Sequence, residues 1–136
     1  MSSLAALLAE LQKNYLASFA EKKVNLENLW KTGKLEELTT EYHKLKGTGR
    51  TYGLPEVTQL GEVLESICEY HVGLQNEATL TAALARAVPV SLRLLDRIQT
   101  SRTSAGEEYI LDADADFLLL LALLPKKTGR QTRSGA

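Results

Sequence analysis

Apolar residues recur at alternating steps of three and four from Leu4 to Ile98, and that spacing restricts this chain to amphipathic helices. Leu4, Leu7, Leu8, Leu11, Tyr15 and Phe19 make a first stripe, which Leu26, Leu29 and Trp30 resume after the polar Glu21-Lys22-Lys23. This predicts one long helix, or two with a join near Asn25. Lys31-Thr32-Gly33 reads as a helix stop, with a cation in the last turn and glycine just beyond. Leu35, Leu38, Tyr42, Leu45 and Tyr52 form the next stripe, with Gly49 on it, and the helix is expected to end near Gly53. Pro55 suits the first turn of a helix that buries Val57, Leu60, Leu64, Ile67 and Cys68. After a loop at Gly73 to Asn76, a last helix carries Leu80, Leu84, Val88, Leu92, Leu95 and Ile98. Pro89 lies inside it and is expected to kink or divide it. Strand signals are nearly absent before residue 100. Short connections between such helices predict an all-α fold, an antiparallel bundle of about four helices.

Composition narrows the function classes. At 136 residues the expectation is one domain with a tail. A net charge of −1 gives no general reason to bind nucleic acid or anionic lipid. Cys68 is the only cysteine, so neither an intramolecular disulfide nor a cysteine-rich zinc site can form. No basic-then-apolar secretion signal is visible. The longest apolar run, Phe117 to Leu124, is short of the roughly 18 residues of a membrane-spanning helix. A cytoplasmic protein is expected.

His43 is the residue that the helical reading makes conspicuous. It lies one position off the buried stripe, rotated by about 100° from it. Its face is shared by Glu36, Thr39, Thr40, Lys46, Gly47 and Arg50, none of them a large apolar residue. The imidazole is therefore expected to face solvent. Lys46, three residues on, can place a compact cation beside a group carried on the ring. Gly47, four residues on, leaves the surface bare where a partner would approach. A mid-helix glycine costs about 1 kcal/mol relative to alanine, so two of them suggest close approach on both sides. Gly47 would admit a partner and Gly49, on the buried stripe, a neighbouring helix.

The run His43-Lys44-Leu45-Lys46-Gly47-Thr48-Gly49-Arg50-Thr51-Tyr52-Gly53 resembles the signature of histidine-containing phosphotransfer (HPt) domains: His-x-Leu-Lys-Gly-Ser/Thr-small, then a large apolar residue and glycine. The likeness continues through Val57, Leu60 and Leu64-Glu65 and covers roughly residues 1–100. It implies a four-helix bundle that carries a phosphoryl group without catalytic apparatus of its own. By this likeness His43 accepts the group through Nε2 from a receiver aspartate or a histidine kinase and passes it to a receiver aspartate. Lys46 would hold phosphoryl oxygens, Glu65 would orient the imidazole through its other nitrogen, and Gly47 would give access. Lys44, Arg50 and Thr39 would complete the docking rim. The implied partners are a response-regulator receiver domain, a hybrid histidine kinase, or both. No intrinsic cofactor is implied, because Mg is the partner receiver's. Gly49 and Arg50 depart from the common pattern. Gly49 stands where serine or alanine is usual, and Arg50 adds a cation to the exposed face.

Other readings carry less weight. His71 reads as a structural residue near a helix end, and Cys68 as a small core residue. His43, Glu65, Cys68 and His71 lack a metal-ligand spacing such as His-x-x-x-His. Lys44, Lys46 and Arg50 lack the interleaved exposed aromatics of a nucleic-acid surface. A bundle that binds receivers or kinases without accepting phosphate is the principal alternative. A kinase dimerisation domain is disfavoured by the residues after His43.

The C-terminal part reads separately. Residues 101–106 look like a linker. Residues 107–125 resemble the first strand and acidic turn of a receiver domain, or else form a helix that packs on the bundle or on a second copy. Residues 126–136 have four basic residues and no apolar pattern, and are expected to be disordered.

Overall fold

The computed structural model describes residues 3–73 and 75–125; the expected disordered tail, 126–136, lies outside them. Helices α1 (Ser3–Ala17), α2 (Phe19–Lys31), α3 (Leu35–Thr51), α4 (Pro55–Gly73) and α5 (Glu77–Thr100) follow in order, and a short α6 (Ala115–Leu121) comes after an irregular stretch. Each of α2 to α5 packs on the next, and α5 closes the ring against α2. Short connections make this an antiparallel four-helix bundle, as the periodicity predicts.

The α3 stripe behaves as its spacing requires. Leu38, Tyr42, Leu45 and Gly49 are buried, and the burial of each large apolar side chain stabilises by about 1.5–3 kcal/mol. The Tyr42 hydroxyl meets Ser91 Oγ of α5 at 2.9 Å, which satisfies a polar group in the middle of the core. Gly53 explains how α3 ends. It adopts φ +71°, while Leu54 N–H donates to Gly49 O at 2.8 Å and Gly53 N–H to Arg50 O at 3.3 Å. That is a Schellman cap, which needs a left-handed residue at this position. Pro55 then opens α4, where a missing N–H costs nothing.

The N-terminal stripe departs from its pattern. The join falls at Ser18, not near Asn25: Ser18 N–H reaches both Asn14 O and Tyr15 O and tightens the turn. Tyr15, Leu16 and Phe19 are buried, but Leu4, Leu7, Leu8 and Leu11 are exposed. The reason is position. Among the described residues α1 lies outside the ring and is fastened towards its C-terminal end, where Gln12 Nε2 donates to Tyr52 O at 2.5 Å and Tyr15 stacks on Tyr52 with ring centroids 4.7 Å apart.

α5 is not divided by Pro89 and runs unbroken to Thr100. Pro89 and Ala85 sit on its exposed side, so the carbonyl that loses its donor faces water. With its continuation (Glu77–Ala105), α5 is long and apolar enough to cross a membrane by length and composition alone, and half of its most apolar stretch is buried within the bundle.

Residues 101–105 are not a free linker. Ser101–Ala105 continue α5 as a π-helical turn that ends at Gly106 in the left-handed region. No strand forms among the described residues, so the receiver-like reading of 107–125 fails there. A lone strand would have had no neighbour for its backbone groups. Instead a 3-10 turn at Leu111–Ala113 leads into α6, and Leu111, Phe117 and Leu120 enter the core cluster. His71 is buried against this segment, its Nε2–H donating to Leu123 O at 3.0 Å.

Candidate functional site

His43 projects from the outer face of α3 with 61% of its side chain exposed, as its angular offset from the stripe predicts. Its Nδ1 lies 2.7 Å from Oε2 of Glu65 on α4. A carboxylate only accepts, so Nδ1 carries the proton and Nε2 keeps its lone pair. The other oxygen of Glu65, Oε1, receives Lys46 Nζ at 3.1 Å. One carboxylate thus holds both α3 side chains from across the helix pair. Only 14% of the Glu65 side chain is exposed. Burial pushes its carboxyl up, but hydrogen bonds from Lys46 and His43 outweigh that and hold it below the ordinary range. Glu65 is therefore ionised at neutral pH, ready to balance positive charge on the ring.

At Gly47 a Cβ would meet nothing within 4 Å, so the surface beside the imidazole is open. Between α2 and α3 a groove of about 380 Å³ borders His43, Lys44, Gly47, Thr48 and Thr51, with Leu26 and Leu45 forming part of its lining. Lys22 of α2 also reaches this groove, and its ammonium stands 5.1 Å from the centre of the Tyr15 ring. Lys44 is exposed and pairs with Glu41 at 3.2 Å. Arg50 is exposed two turns beyond His43, by a second groove with Gly49 and Thr58. Thr39 is half-buried, and its hydroxyl donates to Leu35 O of its own helix at 2.9 Å. The structure therefore brings together His43, Lys46, Glu65 and Gly47. It places Lys44 and Arg50 on the rim and turns Thr39 back onto α3.

Gly49 occupies the buried position assigned to it. A Cβ there would stand 2.5 Å from Thr58 N and 2.7 Å from Thr58 Oγ1. The reciprocal residue, Gly61 of α4, escaped the sequence reading: its Cβ would lie 2.5 Å from Lys46 N. Its position, one step beyond Leu60 and four before Glu65, was the available signal. The link between Glu65 and Lys46 was also missed, because it joins helices in space. Among the described residues no three His, Cys, Asp or Glu side chains cluster as a metal site.

The arrangement is a solvent-facing nucleophilic nitrogen, its tautomer set by a buried carboxylate, with a cation beside it and bare backbone in front. The Hpt domain family model matches residues 5–103. No curated protein and no solved structure gives a match.

Proposed function

We propose, since the chain belongs to the Hpt domain family, that it is a phosphorelay carrier: His43 takes a phosphoryl group from a receiver aspartate or a histidine kinase and returns it to a receiver aspartate. The observation that carries this reading is the 2.7 Å contact of Nδ1 with Glu65, which leaves Nε2 exposed as the basic nitrogen. In the transfer, the Nε2 lone pair bonds to phosphorus as the bond from phosphorus to the carboxylate oxygen of the aspartyl phosphate breaks. The aspartate leaves as carboxylate with its bonding pair. Nδ1 keeps its proton, and the positive charge gained by the ring is balanced by Glu65. Lys46, held nearby by that same carboxylate, can turn toward the phosphoryl oxygens.

On this reading the electrophile, and the Mg that polarises it, come with the partner receiver. Gly47 supplies room for that approach, and Lys44 and Arg50 face an acidic phosphorylation site with complementary charge. A cytoplasmic location follows from partners of this kind. The exposed Leu118, Leu119 and Leu121 of α6 support pairing of two copies through the C-terminal segment.

The test is transfer of label from a receiver phosphorylated on aspartate. Acid-labile label should reach the wild-type chain and be lost in His43→Gln. Label that persisted in His43→Gln would move the site elsewhere. Binding without any labelling, unchanged in His43→Gln, would favour a bundle that docks receivers without accepting phosphate.

A further inference from the structure

The pair α3 and α4 makes the most extensive helix contact of the bundle, and two glycines face each other across it at different heights. Gly49 of α3 meets α4 at Val57 and Thr58. Gly61 of α4 meets α3 between Tyr42 and Lys46: its Cβ would stand 2.5 Å from Lys46 N, 2.9 Å from Tyr42 O and 3.0 Å from Lys46 Cα. All three obstructing atoms are backbone, so no rotamer change can clear them. The stretch it touches, residues 42–46, is the stretch that bears both His43 and Lys46. Glu65 lies one turn beyond Gly61 on the same face of α4.

The contact therefore sets the height of Glu65 over the site. A methyl group at Gly61 has to retreat by about 1 Å to reach ordinary van der Waals separation, and α4 has to retreat with it. Glu65 has little slack to absorb that, because its two oxygens already serve partners on α3 at 2.7 and 3.1 Å. A further 1 Å takes both beyond hydrogen-bond range. We propose that Gly61 is a positioning residue for His43: it fixes the α3–α4 spacing at which Glu65 selects the Nδ1-protonated tautomer and holds Lys46. This deepens the phosphocarrier reading and rests on it only for the transfer measurement.

The direct test is the tautomer of the His43 ring, read by ¹⁵N NMR in mildly alkaline buffer, where a histidine is neutral. The wild type should show Nδ1 protonated. Gly61→Ala should lower that population severalfold and slow transfer from an acetyl-phosphate-loaded receiver about tenfold. Gly49→Ala is the control, because it crowds the same helix pair at Thr58, away from Glu65. It should lower thermal stability comparably and leave the tautomer as in the wild type. A folded Gly61→Ala with the wild-type tautomer would overturn the proposal, as would equal shifts in both glycine variants. Should Gly61→Ala fail to fold, Glu65→Asp tests the same lack of slack with the helix contact intact. Its shorter arm should lose the tautomer preference, and retention would show that spacing is not decisive. Failure of the phosphocarrier reading would look different: the tautomer shifts would stand while wild-type His43 took no label.

Discussion

Two corners of the molecule are built from the same parts, and they are finished differently. At one, Glu65 holds His43 and Lys46 between α3 and α4. At the other, the C-terminal segment is clasped to the bundle by Glu56 and Asp114. Glu56 is completely buried and takes Arg102 Nε at 2.7 Å, Arg102 Nη2 at 2.8 Å and Tyr109 N–H at 3.1 Å. Asp114 accepts Arg97 Nη1 at 2.9 Å on Oδ2, accepts the Tyr109 hydroxyl, and caps α6 through Asp116 N–H at 2.7 Å. Every oxygen in the clasp is occupied by a donor of the chain itself. At His43 one nitrogen is left pointing at water. A saturated polar cluster specifies shape, and one that leaves a reactive atom unpaired can do chemistry. Both corners show depressed carboxyl pKa values, so the titration behaviour alone would not distinguish them.

The comparison breaks most readily at the clasp. Arg102→Ala should leave Glu56 as an uncompensated buried charge and destabilise the fold by about 3–5 kcal/mol. Denaturant unfolding measures this, and a loss under about 1 kcal/mol would mean that Glu56 reaches water. Transfer to His43 should be unchanged in whatever remains folded. Acid gives a smaller, sharper effect. Burial pulls the Asp114 carboxyl up, but Tyr109, Arg97 and the N–H groups of Phe117 and Asp116 outweigh it and lower its pKa. A folded-state value below the unfolded one, about 3.9, contributes stability above that pH and loses it as pH falls through the folded value. Asp114→Asn should therefore cost about 1–2 kcal/mol at neutral pH. Its unfolding curve should converge on the wild type in strong acid. Parallel curves across the whole range would remove the carboxylate from the account.

How much of this was legible in the sequence follows from range. The α3 helix, its end near Gly53, the exposure of His43 and the burial of Gly49 are set within one helix, and the sequence displays such local pattern directly. The His43–Glu65 contact came from family likeness, since nothing local joins residues 22 positions apart. Gly61 was passed over because a glycine in a stripe does not announce which neighbour it meets. Leu4, Leu7, Leu8 and Leu11 misled for the opposite reason: a stripe shows which side is apolar, not whether anything covers it. The clasp was invisible because Glu56 and Arg102 are charged residues in separate helical segments. Their pairing is completed by Tyr109, whose N–H reaches Glu56 from a segment 53 residues away in sequence.

The smallest expected effect bears most closely on why the two corners differ. Gly47 is in mid-helix, on an exposed face, with nothing within 4 Å of where its Cβ would be. Alanine fits there, and by restoring helix propensity and restricting the unfolded chain Gly47→Ala should raise stability by about 0.5–1 kcal/mol. A bulkier residue at the same place also has room in the isolated chain, so Gly47→Leu should keep its helicity and unfold no earlier than the wild type. Its side chain would nonetheless stand where the aspartyl phosphate must come within bonding reach of Nε2, and transfer should fall sharply. Circular dichroism and transfer rates on the same two variants decide the point. Wild-type transfer in Gly47→Leu would mean that the partner approaches from a side that Gly47 does not border. Loss of helicity would mean that Gly47 serves the fold. The expected split, stability kept and transfer lost, is one that no substitution in the saturated clasp should produce, because there every side chain that is removed was holding another.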